Sequence, residues 1–233
     1  MLSNDLDLRH WRQQLQQRGR IQIPDVLQAS ALERLRACLE QEVPWGLAVR
    51  HAGDVARLLP AAEWRNGSDG EAGRVAQAAQ GARGGYAFAY ESYMMVTAAL
   101  EGRDPGLLLH AVLDFLNAPP FLSFCRMLTG DPSLRRVSAQ ATRYRPGMFL
   151  RRHNDFEADE GRRYAYVFNL GRSWSADWGG LLHFQDQDGR VVETLEPMPN
   201  SLSLFKVPAW HFVSPVAPWA ETDRLGITGW WLT

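Results

Sequence analysis

The side chains best suited to bind a metal ion lie together in one short segment, Arg152-His153-Asn154-Asp155. Among the six histidines, only His153 is followed by a carboxylate two residues later. On an extended segment, positions i and i+2 face the same way, so both side chains can reach one metal ion. A third ligand must come from another strand, and His211 is the natural candidate. The spacing therefore predicts a metal site made of His153, Asp155 and His211.

Two imidazoles and one carboxylate on one face of an octahedron leave three coordination positions open. Non-haem Fe(II) oxygenases use this facial arrangement because co-substrate and O₂ must both reach the iron. The alternative for a lone His-x-Asp triplet is a surface turn that binds no metal. His183 has no carboxylate two residues on and is interpreted as a plain strand residue. The same holds for the remaining histidines, His10, His51 and His110.

A candidate anion-binding residue, Arg224, lies 13 positions after His211 on the next predicted strand. A guanidinium there could clamp the distal carboxylate of a keto acid bidentately while the other end of the acid chelates iron. Thr228 lies on the same strand face and could add a hydroxyl to that carboxylate. Arginine is common in this chain, since Lys206 is the single lysine among 25 basic residues. The prediction for Arg224 therefore depends on order and spacing together.

The elements that must bring these residues together are strands of the second half of the chain. After Asp131, short runs of strand-forming residues alternate with turn clusters, and no helical pattern separates them. This indicates an antiparallel sandwich or barrel, and about eight strands are typical of a double-sheet jelly roll such as a cupin. The predicted strands are 135–145, 163–170, 180–185, 190–195, 201–207, 210–216 and 224–232.

The first half of the chain is predicted to be mainly helical. Residues 60–85 are rich in Gly and Ala, with Asn66-Gly67 and Gly84-Gly85 as breakers, and predict a loop containing a short helix. We expect a single domain of residues 1–233, in which a helical support and lid region, 1–130, precedes the core at 131–233. The other predicted elements are a helix ending near Arg18, a strand at 21–27, a helix at 30–43, an alternating strand through Tyr86, Phe88 and Tyr90, and two helices within 105–129.

Composition narrows the choice of partners. The formal net charge of −1 gives no electrostatic case for nucleic acid or an anionic membrane as a main partner. Cys38 and Cys125 have no CxxC partner, which favours a reduced setting. The sequence has neither a secretory signal pattern nor an apolar run long enough to span a bilayer. We expect a cytoplasmic protein that acts on a small molecule, a peptide or a protein; the oligomeric state is open.

Five motifs in a fixed order resemble a known family. The order of the motifs is similar to that in 2-oxoglutarate/Fe(II)-dependent oxygenases of the prolyl-hydroxylase-like branch, and the resemblance covers residues 135–233. It implies a double-stranded β-helix, a jelly-roll or cupin-like core flanked by helices, in which Gly179 and Gly180 allow a tight turn. The motifs are Tyr144-Arg145-Pro146-Gly147, His153-x-Asp155, Trp178-Gly179-Gly180, Pro208-x-x-His211 and Arg224 to Trp230.

The resemblance also implies an activity. His153, Asp155 and His211 would be the iron-binding and catalytic residues. Arg224 would bind the C5 carboxylate of 2-oxoglutarate, and Tyr144 would line the same pocket. Fe(II) and 2-oxoglutarate are then the cofactor and co-substrate, with ascorbate as a reductant. The implied reaction hydroxylates an unactivated C–H bond, of a prolyl residue or a proline-like molecule, and forms succinate and CO₂.

The sequence departs from many relatives in one place and leaves other functions open. Val167 stands where many relatives carry a tyrosine that touches the co-substrate, and Tyr164 and Tyr166 fall on the opposite strand face. One alternative is a cupin-like metalloenzyme that does not use 2-oxoglutarate. Another is a non-catalytic jelly-roll binding module.

Charged and aromatic residues near the motifs have two interpretations each. The acidic run is a solvated loop near the mouth of the site, and the flanking arginines pair with it or meet an acidic substrate. Tyr86 and Tyr90 are core or lid residues, or substrate contacts, and Trp230 is a packing residue whose indole N–H needs a partner. The acidic run is Asp155, Glu157, Asp159 and Glu160, and the arginines are Arg151, Arg152, Arg162 and Arg163.

Overall fold

The computed structural model describes residues 1–65, 70–158 and 160–233. Two features of the sequence analysis, the Asn66-Gly67 breaker and Asp159 of the acidic run, lie outside these residues. The helices of the described part are α1 Leu8–Arg18, α2 Ala29–Gln41, α3 Ala61–Arg65, α4 Gly70–Gly81, α5 Met95–Leu100, α6 Leu108–Asn117 and α7 Pro119–Thr129.

Strands form the larger part of the fold. They are β1 Arg20–Ile23, β2 Gly46–Arg50, β3 Arg57–Leu59, β4 Phe88–Tyr93, β5 Arg136–Val137, β6 Gln140–Tyr144, β7 Phe149–His153, β8 Arg162–Asn169, β9 Leu182–Gln185, β10 Val191–Leu195, β11 Ser201–Lys206, β12 His211–Val213 and β13 Arg224–Leu232. All pairings between these strands are antiparallel.

One strongly curved sheet contains all of these strands. Its main path runs β1-β11-β8-β13-β6-β4-β7-β12-β9-β10, with β2, β3 and β5 attached at the side. β4 carries the sheet around a corner, because residues 91–93 pair with β6 and residues 88–89 pair with β7. The two end strands approach each other through side chains: Arg20 of β1 pairs with Glu193 of β10. The result is a nearly closed barrel.

The alternation of side chains along β13 separates two hydrophobic cores. Leu225, Ile227 and Trp231 face the helices and pack with residues of α1, α2, α6 and α7. Arg224 and Trp230 occupy the opposite face, since successive residues of a strand point to opposite sides, and that face lines the barrel interior. Trp231 is completely buried, so the helix layer is an integral part of the core and fixes the sheet that carries the interior residues.

The structure corrects several predicted elements. The segment 60–85, predicted to be a loop containing a short helix, contains α3 and the 12-residue helix α4, in which the alanines favour helix despite the glycines. The strands β2, β3 and β7 were not predicted, and β7 is the most important of them because it ends at His153. Pro119 and Pro120 begin α7 rather than merely separating two helices, since the first turn of a helix does not need their backbone N–H groups.

Within the described residues, no single helix has both the length and the apolar character needed to cross a bilayer. One bent pair, α6 with α7 at 56°, meets the requirement by length and composition.

Candidate active site

The two histidines of the predicted triad meet across an antiparallel strand pair. His153 is the last residue of β7, His211 is the first residue of β12, and the two are direct partners in the ladder. Side chains opposite each other in such a pair lie on the same face of the sheet. Their ring centroids are 4.1 Å apart. The fold therefore brings together two residues that are far apart in the sequence.

Asp155 reaches the histidines by a route that the sequence analysis did not predict. The strand ends at His153, so Asp155 is not on an extended segment, and its φ of 60° is in the left-handed region. Aspartate tolerates this conformation better than most residues. The turn brings Asp155 Oδ1 to 3.3 Å from His153 Nε2 and Oδ2 to 3.6 Å from His211 Nε2.

The hydrogen bonds of both imidazoles orient them as metal ligands. His153 Nδ1 donates to the Arg151 carbonyl at 2.9 Å, and His211 Nδ1 donates to the Ala209 carbonyl at 2.8 Å. Because a carbonyl oxygen only accepts, each Nδ1 carries the proton and each Nε2 offers a lone pair. The ligand atoms of His153, Asp155 and His211 all lie within 4.8 Å of one another. This donor set fits a divalent transition metal such as Fe(II).

The electrostatics of the triad also favour a neutral His211 and an ionised Asp155. Burial, together with the nearby His153, lowers the pKa of His211 to about 4. Burial alone would raise the pKa of Asp155, but the neighbouring His153 and His211 imidazoles and the Trp230 indole hold that pKa below its usual value. At neutral pH the structure thus presents a neutral His211 beside an ionised Asp155, the forms that ligate metals.

The triad opens into a cavity of about 110 Å³ inside the barrel. Arg224 and Tyr144, direct partners in the β13–β6 ladder, lie on its wall. The Arg224 guanidinium lies over the Tyr144 ring at 5.0 Å. Burial lowers the pKa of Arg224, and its Nε has no hydrogen-bond partner among the described residues. A buried cation without a counter-ion is costly, so this wall is suited to a carboxylate ligand.

The glycine pair predicted to make a tight turn lies next to this wall. Gly179 and Gly180 have φ values of 67° and 60°. A Cβ atom on Gly179 would overlap the Pro215 carbonyl oxygen, and a Cβ atom on Gly180 would lie 3.0 Å from the Trp174 ring and 3.1 Å from Cγ2 of Val216. Glycine at both positions therefore permits the turn and its close packing.

Thr228 and Val167 are neighbours on adjacent strands and both line the cavity. The Thr228 hydroxyl donates to the Tyr166 carbonyl at 2.7 Å, so its proton is already engaged and the hydroxyl offers an incoming ligand only a lone pair. Its predicted contact with a carboxylate stays a prediction. The rings of Tyr164 and Tyr166 pack in the helix-side core, on the face opposite Val167.

Three aromatic residues complete the cavity wall. Tyr86 stacks on His153 with centroids 5.3 Å apart, and Tyr90 stacks on Tyr144 at 5.0 Å. Trp230, which the sequence analysis interpreted as a packing residue, also lines the cavity. Its position could have been inferred by counting along β13, because it lies an even number of residues after Arg224. The Tyr86 and Tyr90 strand was predicted, but nothing in the sequence showed which face meets the metal ligands.

The other histidines stay outside this arrangement. His183 stacks on Phe212 at 4.6 Å and hydrogen-bonds the Thr194 hydroxyl, as expected for a plain strand residue. In the part of the chain that the structure describes, the only group of three or more metal-ligating side chains is the triad.

Comparisons with known proteins converge on one family. Residues 139–232 match the family model for the 2OG-Fe(II) oxygenase superfamily. Prolyl 3-hydroxylase OGFOD1 of Mus musculus is 41% identical over 78 residues, which are 30% of this chain and 14% of that protein. The Xenopus laevis protein of the same name is 37% identical over 78 residues and is covered to 15%. The chain thus matches about a seventh of the length of these curated relatives.

Solved structures share the fold over nearly the whole chain. A Pseudomonas putida prolyl-4-hydroxylase superimposes with a TM-score of 0.62 at 21% identity, covering 97% of this chain and 98% of that one. A Trichoplax adhaerens prolyl hydroxylase, solved with a peptide fragment of the hypoxia inducible factor oxygen degradation domain, gives 0.59 at 19% identity and covers 97% and 88%. The predicted jelly-roll core with flanking helices is confirmed.

Proposed function

We propose that this chain, whose residues 139–232 match the family model for the 2OG-Fe(II) oxygenase superfamily, is a 2-oxoglutarate-dependent hydroxylase that acts on a prolyl residue of a peptide or protein. The observation that carries the proposal is the juxtaposition, in one cavity, of the His153, Asp155 and His211 ligand set with the buried Arg224, whose Nε has no hydrogen-bond partner among the described residues. Neither the metal-ligand set alone nor Arg224 alone indicates a keto-acid-dependent oxygenase.

In this proposal, His153, Asp155 and His211 hold Fe(II) on one face of its coordination sphere. When bound, Fe(II) with 2-oxoglutarate and O₂ supplies the oxidising power to place one oxygen atom in a C–H bond, the other leaving in succinate with CO₂. The Nδ1–H bonds of the two imidazoles keep their Nε2 atoms directed at the metal position. The three coordination positions that the protein leaves free are those that a bidentate keto acid and O₂ need.

Arg224 is proposed to bind the C5 carboxylate of 2-oxoglutarate. It is buried, it is the partner of Tyr144 across the ladder, and its guanidinium lacks a carboxylate partner among the described residues. A charge-assisted, two-point contact would neutralise it and orient the co-substrate. The stacked Tyr90 and Tyr144 rings form an aromatic wall at this end of the cavity.

A prolyl substrate is supported by the prolyl hydroxylases among the similar proteins and by the groove that adjoins the cavity. An open groove of about 510 Å³ shares Tyr90, Trp230 and Thr228 with the buried cavity. Its remaining lining is largely apolar, including the partly exposed Leu58 and Met94. A groove of this size beside a small cavity suits an extended peptide that inserts one compact ring. Free proline would leave the groove empty, so the peptide is the preferred form.

The test is turnover with proline-containing peptides. We expect purified protein with Fe(II), ascorbate and 2-oxoglutarate to form succinate and add one oxygen atom to a peptide proline, detected by mass spectrometry. Asp155→Ala should abolish the product, whereas Arg103→Gln, which alters an exposed ion pair with Glu101, should not. Metal-dependent activity that is indifferent to 2-oxoglutarate would contradict the proposal and favour a cupin-like metalloenzyme.

A further inference from the structure

Asp155 needs an anchor that the strands do not provide. It lies two residues beyond β7 in a left-handed backbone conformation, so no ladder hydrogen bond fixes it. Its backbone carbonyl is contacted by the side chain of Arg162, the first residue of β8. Arg162 Nη1 donates to the Asp155 carbonyl at 3.2 Å. The same guanidinium donates from Nε to Glu160 at 2.7 Å.

The Arg162 guanidinium rests on the ring of Trp230. Its central carbon lies 3.7 Å from the ring centroid, a close cation–π contact, and the side chain is only 13% exposed. Trp230 is held in turn by β13, where its backbone N–H donates to the Ser138 hydroxyl at 3.0 Å. The indole N–H is buried and near enough to the Asp155 carboxylate to favour its ionised form, but it makes no well-aligned hydrogen bond within the described residues.

We propose that Arg162 and Trp230 are positioning residues for the carboxylate ligand: Arg162, seated on the Trp230 ring, fixes the turn that carries Asp155. This inference rests on the proposed function, in which Asp155 ligates iron. Without the contact of Arg162 with the Asp155 carbonyl, the turn would sample positions in which the Asp155 carboxylate no longer lies next to both imidazoles. Residues that orient metal ligands from behind commonly change metal affinity by 10- to 100-fold when they are removed.

The test uses Mn(II) as a redox-stable probe, with its free concentration followed by electron paramagnetic resonance and without 2-oxoglutarate. We expect Arg162→Gln to raise the Kd for Mn(II) by about tenfold. Simple charge repulsion predicts the opposite, because the substitution removes a positive charge near a cation site. Arg162→Lys, which keeps a cation on the ring and a donor for the carbonyl, should recover most of the affinity.

The neighbouring Arg163 offers a matched control. Its side chain is 57% exposed and pairs with Asp131, away from the triad, so Arg163→Gln should leave the Kd unchanged. Trp230→Phe keeps a ring under Arg162 but removes the indole N–H, and we expect a smaller loss of affinity. If Arg162→Gln does not fold, the Kd of Trp230→Phe for Mn(II) tests the inference instead.

Three outcomes would overturn the inference. One is a Kd for Arg162→Gln within twofold of wild type. Another is an equal loss in Arg163→Gln, which would show that the loss does not depend on the contact between Arg162 and the Asp155 turn. If the wild-type protein bound no Mn(II), the inference and the proposed function would fail together. If wild type bound the metal and Arg162→Gln bound it as tightly, only the positioning role would fail.

Discussion

Arg224 is the residue whose surroundings say most about the ligand of the cavity. It is a buried guanidinium with an unpartnered Nε, stacked on Tyr144 and without an acid beside it among the described residues. Hydrogen bonds to charged groups contribute about 1.5–3 kcal/mol each. A ligand carboxylate that neutralises Arg224 therefore gains affinity that neither a neutral nor a cationic ligand would gain.

Arg224→Gln should raise the KM for 2-oxoglutarate by about 10- to 100-fold, because it removes a charge-assisted contact worth about 1.5–3 kcal/mol. The effect is to be measured as succinate formation over a range of 2-oxoglutarate concentrations. Arg172→Gln, in an exposed pair with Glu40, serves as the control. An unchanged KM in Arg224→Gln would remove this residue from the co-substrate site.

At the residue scale, the sequence was most informative where residue type alone limits the chemistry. His153, Asp155, His211 and Arg224 were found because few side chains bind metals or carboxylates, and the structure places all four on one cavity. Arg162 could not be found in this way. Its importance depends on the left-handed turn at Asp155, and a chain rich in arginine gives no reason to select one of them.

At the scale of elements, β4 determines how the barrel closes. It pairs with both β6 and β7 and so joins the strand that carries Tyr144 to the strand that ends at His153. The alternation of aromatic residues predicted this strand. β7 was missed because Arg151 and Arg152 interrupt its apolar character, and a strand with one face toward solvent tolerates such residues.

A buried ion pair fixes the register of β4 against β6. Glu91 is fully buried, is the ladder partner of Arg143, and accepts two hydrogen bonds from its guanidinium. Glu91→Leu should lower the free energy of unfolding by about 3 kcal/mol, because it leaves the Arg143 charge poorly paired. The carboxylate of Asp223 lies 3.9 Å from Arg143 and still partly neutralises it. The expected loss of stability is therefore at the lower end of the range for a broken buried ion pair. Urea unfolding measures the change.

The double variant Glu91→Leu/Arg143→Met separates the loss of the pair from the loss of packing. We expect it to recover most of the lost stability, since an apolar replacement of a buried pair is often nearly neutral. A double variant as unstable as Glu91→Leu alone would show that shape, rather than the unpaired charge, accounts for the effect.

At the scale of the whole molecule, the fold class followed from sequence because strand runs without helices between them allow few architectures. The resemblance to 2-oxoglutarate/Fe(II)-dependent oxygenases agrees with the family model that matches residues 139–232 and with the 78-residue match to prolyl 3-hydroxylase OGFOD1, and the activity itself is our proposal. The division of the chain into a helical support and lid region, 1–130, and a core, 131–233, stays a prediction, although β1 and β4 of the first region are part of the sheet. These two strands pair with strands that are distant in the sequence, so no local sequence pattern reveals the pairing.

The most direct test of the central claim is the anaerobic absorption spectrum of the Fe(II)-loaded protein as 2-oxoglutarate is added. We expect a weak visible charge-transfer band in wild type. The band should be absent in His153→Ala and should require far more 2-oxoglutarate in Arg224→Gln. A wild-type protein with iron shown to be bound, but without the band at any 2-oxoglutarate concentration, would contradict the assignment of this cavity as a keto-acid site.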